Sequence, residues 1–156
     1  MSVSTNQKII YSIFGGFLFM AFSNPKLYDY IDKYYLGNKN KISFIGCPTF
    51  AGHLFFTVLY FVCFLFLILI FNLTFAPDNR TNFEKLFNFT FVNSLLFYMF
   101  SNREMFHAMD SYLENNPNKC FQLDVAQPNG CPTFKGIMCH SLIYTLIIFL
   151  TMNFYS

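Results

Sequence analysis

Residues 46–52 read GCPTFAG and residues 130–136 read GCPTFKG, and each heptapeptide leads into one of the two longest apolar runs of the chain, 54–71 and 137–154. A second matched pair lies upstream of these: FSNPKLYDYIDKY at 22–34 and FSNREMFHAMDSY at 100–112. Matched residues are 78 apart in the upstream pair and 84 apart in the downstream pair. The second copy therefore carries six extra residues between Tyr112 and Gly130, in a loop, where added length costs little. A duplication at a fixed period governs every reading of the elements inside it.

The 156 residues are 54% hydrophobic, 22% aromatic and only 12% charged. A soluble domain carries about a quarter charged residues, so this composition points to a lipid solvent. A hydrocarbon core about 30 Å thick needs roughly 20 apolar residues per helix, with every backbone group bonded internally. The runs 54–71 and 137–154 meet this directly. The run 9–22 is short and contains Gly15-Gly16, and the run 83–100 carries Asn88, Thr90, Asn93 and Ser94. Extending the upstream register pairs Ser12 with Thr90, Gly15 with Asn93 and Gly16 with Ser94, so the first run inherits support from the third. Run 9–22 also fits a signal peptide, with Lys8 before it and Ala21-Phe22-Ser23 after it; the match to the third run favours a retained span.

The expected architecture is an all-α integral membrane protein with four transmembrane helices, arranged as two tandem parallel repeats of a helical hairpin. Each repeat carries a short extramembrane amphipathic helix and a loop. Repeat 1 covers 1–76, with spans at about 9–23 and 50–73 and loop 24–49; repeat 2 covers 77–156, with spans at about 83–101 and 134–155 and loop 102–133. Together they form a single membrane domain. Each unit crosses twice, so both copies have the same orientation about an axis along the membrane normal. Both loops then share one face, and both termini share the other with the linker.

Lys26, Lys33, Lys39, Lys41, Arg103, Lys119 and Lys135 put seven of the ten basic residues on the loop face, which predicts that this face is cytoplasmic. Asn79-Arg80-Thr81 is a glycosylation sequon on the opposite face, expected to go unused in so short a linker. A net charge of +2 with scattered Lys and Arg excludes a nucleic-acid groove.

Asn24-Pro25 is a helix start, a side-chain cap followed by a ring that pre-sets the first turn. Leu27, Tyr28, Ile31, Tyr34 and Tyr35 recur at helical spacing until Gly37. The second copy runs from Asn102 through Met105, Phe106, Met109 and Leu113 to residues 115–117. Such helices either lie at the headgroup level or pack on their neighbours. Asp32 and Asp110 are equivalent; outside the hydrocarbon an acid is solvated without cost, which favours a structural role over proton handling. His107 is within helical reach of Asp110, but the first copy has no counterpart.

In GCPTF, Gly46 and Gly130 permit a tight turn, Pro48 and Pro132 set the first helical turn, and Thr49 and Thr133 can bond free amides at the start of the following span. This leaves Cys47 and Cys131 unexplained. A disulfide or reactive thiols among Cys47, Cys120 and Cys131 are both open, with Cys120 as the alternative partner of Cys131. A reducing cytoplasmic face weighs against the bond. Cys63 and Cys139 read as small apolar side chains. His53 and His140 occupy non-equivalent positions and read as helix-end histidines with local partners. No metal-ligand spacing is present, and no metal or cofactor is expected. Ser12-x-x-x-Gly16 and Thr90-x-x-x-Ser94 are small-residue patterns that allow close helix approach. Nothing pairs a nucleophile with a base or forms a phosphate loop, so no enzyme is expected.

The series S-N-P-x-L-Y, a short loop, then C-P-T-x-x-G entering a terminal apolar span resembles small multi-pass membrane proteins of nucleocytoplasmic large DNA viruses. Some of these are virion components in the membrane beneath an icosahedral shell. Their pattern P-T-x-x-G-x-x-x-H is met by Pro132, Thr133, Gly136 and His140, whereas the first copy has Phe56 in place of His. The resemblance implies a minor capsid-associated protein of an internal membrane. Loops 24–49 and 102–133 would contact capsid proteins or neighbouring copies, and the thiol oxidases of such viruses would make a disulfide compatible with cytosolic assembly. Two other readings stand beside it. One is a small viroporin-like oligomeric channel with Asn88, Thr90 and Asn93 facing a pore; the other is a membrane thiol-disulfide exchange protein using Cys47 and Cys131.

Overall fold

The computed structural model describes residues 4–35, 43–44, 47–75, 81–114, 125–127 and 131–153. The expectations for Gly37, Gly46, Cys120, Gly130, residues 115–117 and the Asn79-Arg80 part of the sequon lie outside the described residues. Within them run six helices: α1 Thr5–Phe22, α2 Pro25–Tyr35, α3 Phe50–Thr74, α4 Phe83–Phe100, α5 Arg103–Glu114 and α6 Phe134–Thr151.

The protein is mostly helical, and α3 and α6 are long and apolar enough to cross a membrane. At 1.5 Å per residue, the 25 residues of α3 extend about 37 Å, more than the hydrocarbon thickness. Most of both helices stays uncovered by the rest of the chain. A helix apolar on all sides and left uncovered by the rest of its chain has the pattern of a membrane span.

Helix α1 begins at Thr5, four residues before the expected span. Ser4 and Gln7 form a reciprocal capping box, in which the Ser4 hydroxyl accepts from the Gln7 amide and Gln7 Oε1 accepts from the Ser4 amide. That first turn is polar, so apolarity alone does not register it. Helix α6 stops at Thr151, short of the expected 155. Ser23 and Ser101 close α1 and α4 in the same way, each amide bonding back to Phe19 and Phe97 respectively.

Packing departs from the expected hairpins. Helix α1 lies mainly against α6, and α4 mainly against α3, with lesser contact between α1 and α3 and between α4 and α6. The cause is local. A Cβ on Gly15 would overlap Ile148 Cδ1, and one on Gly16 would overlap Thr145 Oγ1, so the two glycines let α1 close on α6. Between the helices the core is a column of rings. Tyr60 stacks on Phe97 at 4.5 Å, Phe19 meets Phe97 edge-on at 5.6 Å, and Phe19 lies 4.8 Å from Tyr144. Phe64, Ile68, Ile148 and Met152 continue the column.

The all-α expectation needs one revision. Two-residue strands β1 Ser43–Phe44 and β2 Cys47–Pro48 pair antiparallel, and Ala126 bridges to Pro132. In both places the chain is extended just before a helix, where proline is tolerated at a strand edge. Pairing this short has no periodicity to read.

Candidate functional site

The site is built where α3 and α6 begin. The Thr49 hydroxyl accepts from the Gly52 amide at 3.1 Å, and the Thr133 hydroxyl accepts from the Gly136 amide at 3.0 Å. These caps fix the direction of the preceding extended residues. Before α6 the chain is held twice more. The Val125 carbonyl accepts from the Thr133 amide at 3.0 Å and from its hydroxyl at 3.1 Å, and Gln127 N–H donates to Cys131 at 2.8 Å. Gly136 lies so close to the Val125 carbonyl that a Cβ would overlap its oxygen.

Asp110 secures this segment from α5. Its Oδ1 accepts from the amides of Val125 at 2.8 Å and Ala126 at 3.2 Å. Among the described residues no hydrogen bond joins it to His107. Asp32, expected to be solvated, is buried at 3% exposure. Asp32 is thus buried and Asp110 half-buried, so neither is the freely solvated acid the sequence predicts. Burial also pushes the Tyr28 phenol, on the same helix as Asp32, above its ordinary range.

These supports bring Cys47 and Cys131 together. They form a disulfide with Cα atoms 5.3 Å apart, within the ordinary span of such bonds, and Cys131 is 1% exposed. The bond joins residues 84 apart and ties the entrance of α3 to that of α6.

Below the disulfide each histidine takes a partner from another helix, not a local one. His53 stacks on Tyr98 at 4.4 Å and its Nε2 lies 2.7 Å from Ser101 Oγ. Ser101 Oγ donates its single hydrogen to the Phe97 carbonyl at 2.6 Å, so His53 is the donor to it. His140 stacks on Phe106 at 4.0 Å and its Nδ1 donates to the Phe100 carbonyl at 3.3 Å, leaving Nε2 buried without a partner. Deeper still, the hydroxyls of Tyr60 and Tyr144 are 2.9 Å apart, and Tyr144 donates to the Asn93 carbonyl at 2.6 Å.

The remaining polar candidates spend their hydrogen bonds on their own helices. Ser12 donates to Lys8, Thr90 to Leu86, Asn93 to Phe89 and Ser94 to Phe91. Thr90 and Asn93 are buried while Asn88 is exposed, so the three share no surface. Cys63 and Cys139 are half-buried thiols. Among the described residues no group of three or more His, Cys, Asp or Glu could hold a metal ion. At the opposite end Lys8 Nζ donates to Asn153 Oδ1 at 2.9 Å, and the Asn72 amide accepts from the Thr81 N–H and donates to its carbonyl.

Polarity did not mark Tyr60, Tyr144, Ser23 or Ser101 in the sequence. The duplication offsets were the available signal: Tyr60 and Tyr144 are 84 apart, Ser23 and Ser101 are 78 apart. No protein-family model matches the chain, and no curated protein or solved structure is significantly similar to it.

Proposed function

We propose that this chain is a structural integral membrane protein of two tandem parallel repeats that cross the bilayer four times. Its two loops form one disulfide-locked face that meets capsid or other virion proteins of a large DNA virus. The observation that carries the reading is a set of contacts between duplicates. Cys47 bonds Cys131, Tyr60 meets Tyr144, and Phe19 meets Phe97, each pair at the offset of its own repeat block. Equivalent residues touch one another only near the axis that relates the copies, and these three pairs support an axis running along the helices. Phe17 on α1, Phe66 on α3, Phe91 on α4 and Leu142 on α6 are all exposed, which supports lipid contact for all four helices.

An architectural role fits better than conduction or thiol exchange. The interior is filled by rings, Thr90 and Asn93 are enclosed by it, Thr90 bonded to Leu86 and the Asn93 amide to Phe89 while Asn93 Oδ1 has no partner among the described residues, and the Cys131 half of the disulfide is buried. Basic residues on the loop face favour a cytoplasmic location, whereas the disulfide requires an oxidant. A virion membrane whose capsid-facing side is oxidised during assembly, as the viral resemblance implies, satisfies both.

Quantitative mass spectrometry of purified particles, before and after detergent stripping, tests this role. The expected result is many copies per particle, released only with lipid, crosslinking from both loops to shell proteins. Absence from particles, with bilayer conductance that disappears in Asn93→Leu, would replace the architectural role with a channel.

A further inference from the structure

Among the positions at which the two copies differ, four set the character of one surface. Gly16 stands where the second copy has Ser94, and Met20 where it has Tyr98; Thr145 stands where the first copy has Phe61, and Lys135 where it has Ala51. On the α3–α4 side the large residues are packed in place. Tyr98 lies flat on His53 at 4.4 Å, and Phe61 meets Phe87 edge-on at 5.4 Å. On the α1–α6 side their smaller counterparts leave a groove of about 340 Å³, lined by Gly16, Phe17, Met20, Met138, Leu142 and Thr145 among others.

The walls want hydrocarbon. The two hydroxyls that reach the groove are already committed to their own helix, Ser141 donating to Met138 at 2.8 Å and Thr145 to Ser141 at 2.7 Å. Lys135, Met138, Leu142 and Thr145 recur at spacings of 3, 4 and 3, which puts them on one face of α6. That face runs about 15 Å along the helix. At its loop-side end stands the exposed Lys135, in the first turn of α6. A cation at the headgroup level above an apolar trench of this length complements one kind of molecule, an anion carrying a hydrocarbon chain parallel to the helix.

We propose that this groove binds one glycerophospholipid, an acyl chain lying between α1 and α6 and the phosphate paired with Lys135. The inference rests on the four-span reading, since α1 must lie in the bilayer. It also makes the molecule functionally one-sided: the disulfide face and the central column are shared between the copies, and the lipid site belongs to one flank.

Native mass spectrometry of the full chain in detergent, titrated with palmitoyl-oleoyl-phosphatidylglycerol, tests it with two variants that each import the residue of the other copy. The wild type retains one lipid. Thr145→Phe fills the groove and loses it, while Lys135→Ala, an exposed change that leaves folding intact, weakens retention about fivefold. An intact Cys47–Cys131 bond on a non-reducing gel serves as the folding check for both. Retention unchanged in both variants overturns the proposal. So does a wild-type dimer that Thr145→Phe converts to monomer, which would make a second copy the occupant. Failure of the four-span reading shows separately, as labelling of Phe17→Cys by an impermeant maleimide in sealed phosphatidylglycerol vesicles. Protection of that cysteine together with unchanged retention overturns the lipid site alone.

Discussion

Tyr144 has one hydroxyl hydrogen and two neighbours within reach of it. The Asn93 carbonyl, 2.6 Å away, can only accept, so Tyr144 donates there and the hydrogen shared with Tyr60, at 2.9 Å, comes from Tyr60. The order of donation makes the two phenols unequal. Tyr144→Phe leaves the Tyr60 hydroxyl buried with no acceptor, whereas Tyr60→Phe keeps the bond to Asn93. In a bilayer such bonds are worth about 0.6 kcal/mol on average and reach about 1.7. Tyr144→Phe is expected to lower stability by about 1 to 2 kcal/mol and Tyr60→Phe by less than about half of that. Unfolding in increasing mole fraction of dodecyl sulfate, followed by helical circular dichroism, measures both; an equal or larger loss in Tyr60→Phe would overturn the assigned order. Neither residue stands out in the sequence, because a tyrosine inside an apolar run reads as one more ring. Cys47 and Cys131 stood out because nothing local explained them, and the structure supplies the missing partner in each other.

At the scale of elements, what could be read from the chain was whatever is decided locally. Helices α2 and α5 start where Asn24 and Asn102 cap them, each side-chain oxygen accepting from the amide two residues on. The Thr49 and Thr133 caps were legible for the same reason. The short strand pairings were not, since two residues give no alternation, and the α1–α6 pairing was not, since Gly15 and Gly16 permit close approach without naming the partner. The role of Asp110 was equally hidden, because its partners lie 15 and 16 residues away in a loop. Asp110→Ala removes the acceptor of two amides at once. Bonds to a charged acceptor contribute about 1.5 to 3 kcal/mol each, so hydrogen exchange at Val125 and Ala126 is expected to rise at least about tenfold. Amides in the middle of α3 should keep their protection. Unchanged exchange at 125 and 126 would return Asp110 to the status of a solvated surface acid.

For the whole molecule, the duplication makes a statement about sidedness that no single element carries. The Cys47–Cys131 bond gathers the entrances of α3 and α6 at one end. Lys8 with Asn153, and Asn72 with Thr81, gather both termini and the linker at the other. The proposed four-span arrangement of parallel copies therefore predicts a pairing of exposed positions. Lys26 and Arg103 belong to the disulfide end, Thr74 and Glu84 to the opposite end, and all four are exposed. Cysteines placed singly at these sites and probed with an impermeant maleimide on sealed vesicles should fall into two classes. Lys26→Cys and Arg103→Cys should react from one side, and Thr74→Cys and Glu84→Cys from the other. If Lys26→Cys and Arg103→Cys react from opposite sides, the copies are inverted, and a disulfide between their loops would have to bridge the bilayer, which a bond with Cα atoms 5.3 Å apart cannot do. The same vesicles decide orientation. Impermeant reductant added to cytoplasmic-side-out vesicles should open the disulfide if the basic residues set the topology, and should leave it closed if the redox preference of the bond sets it instead.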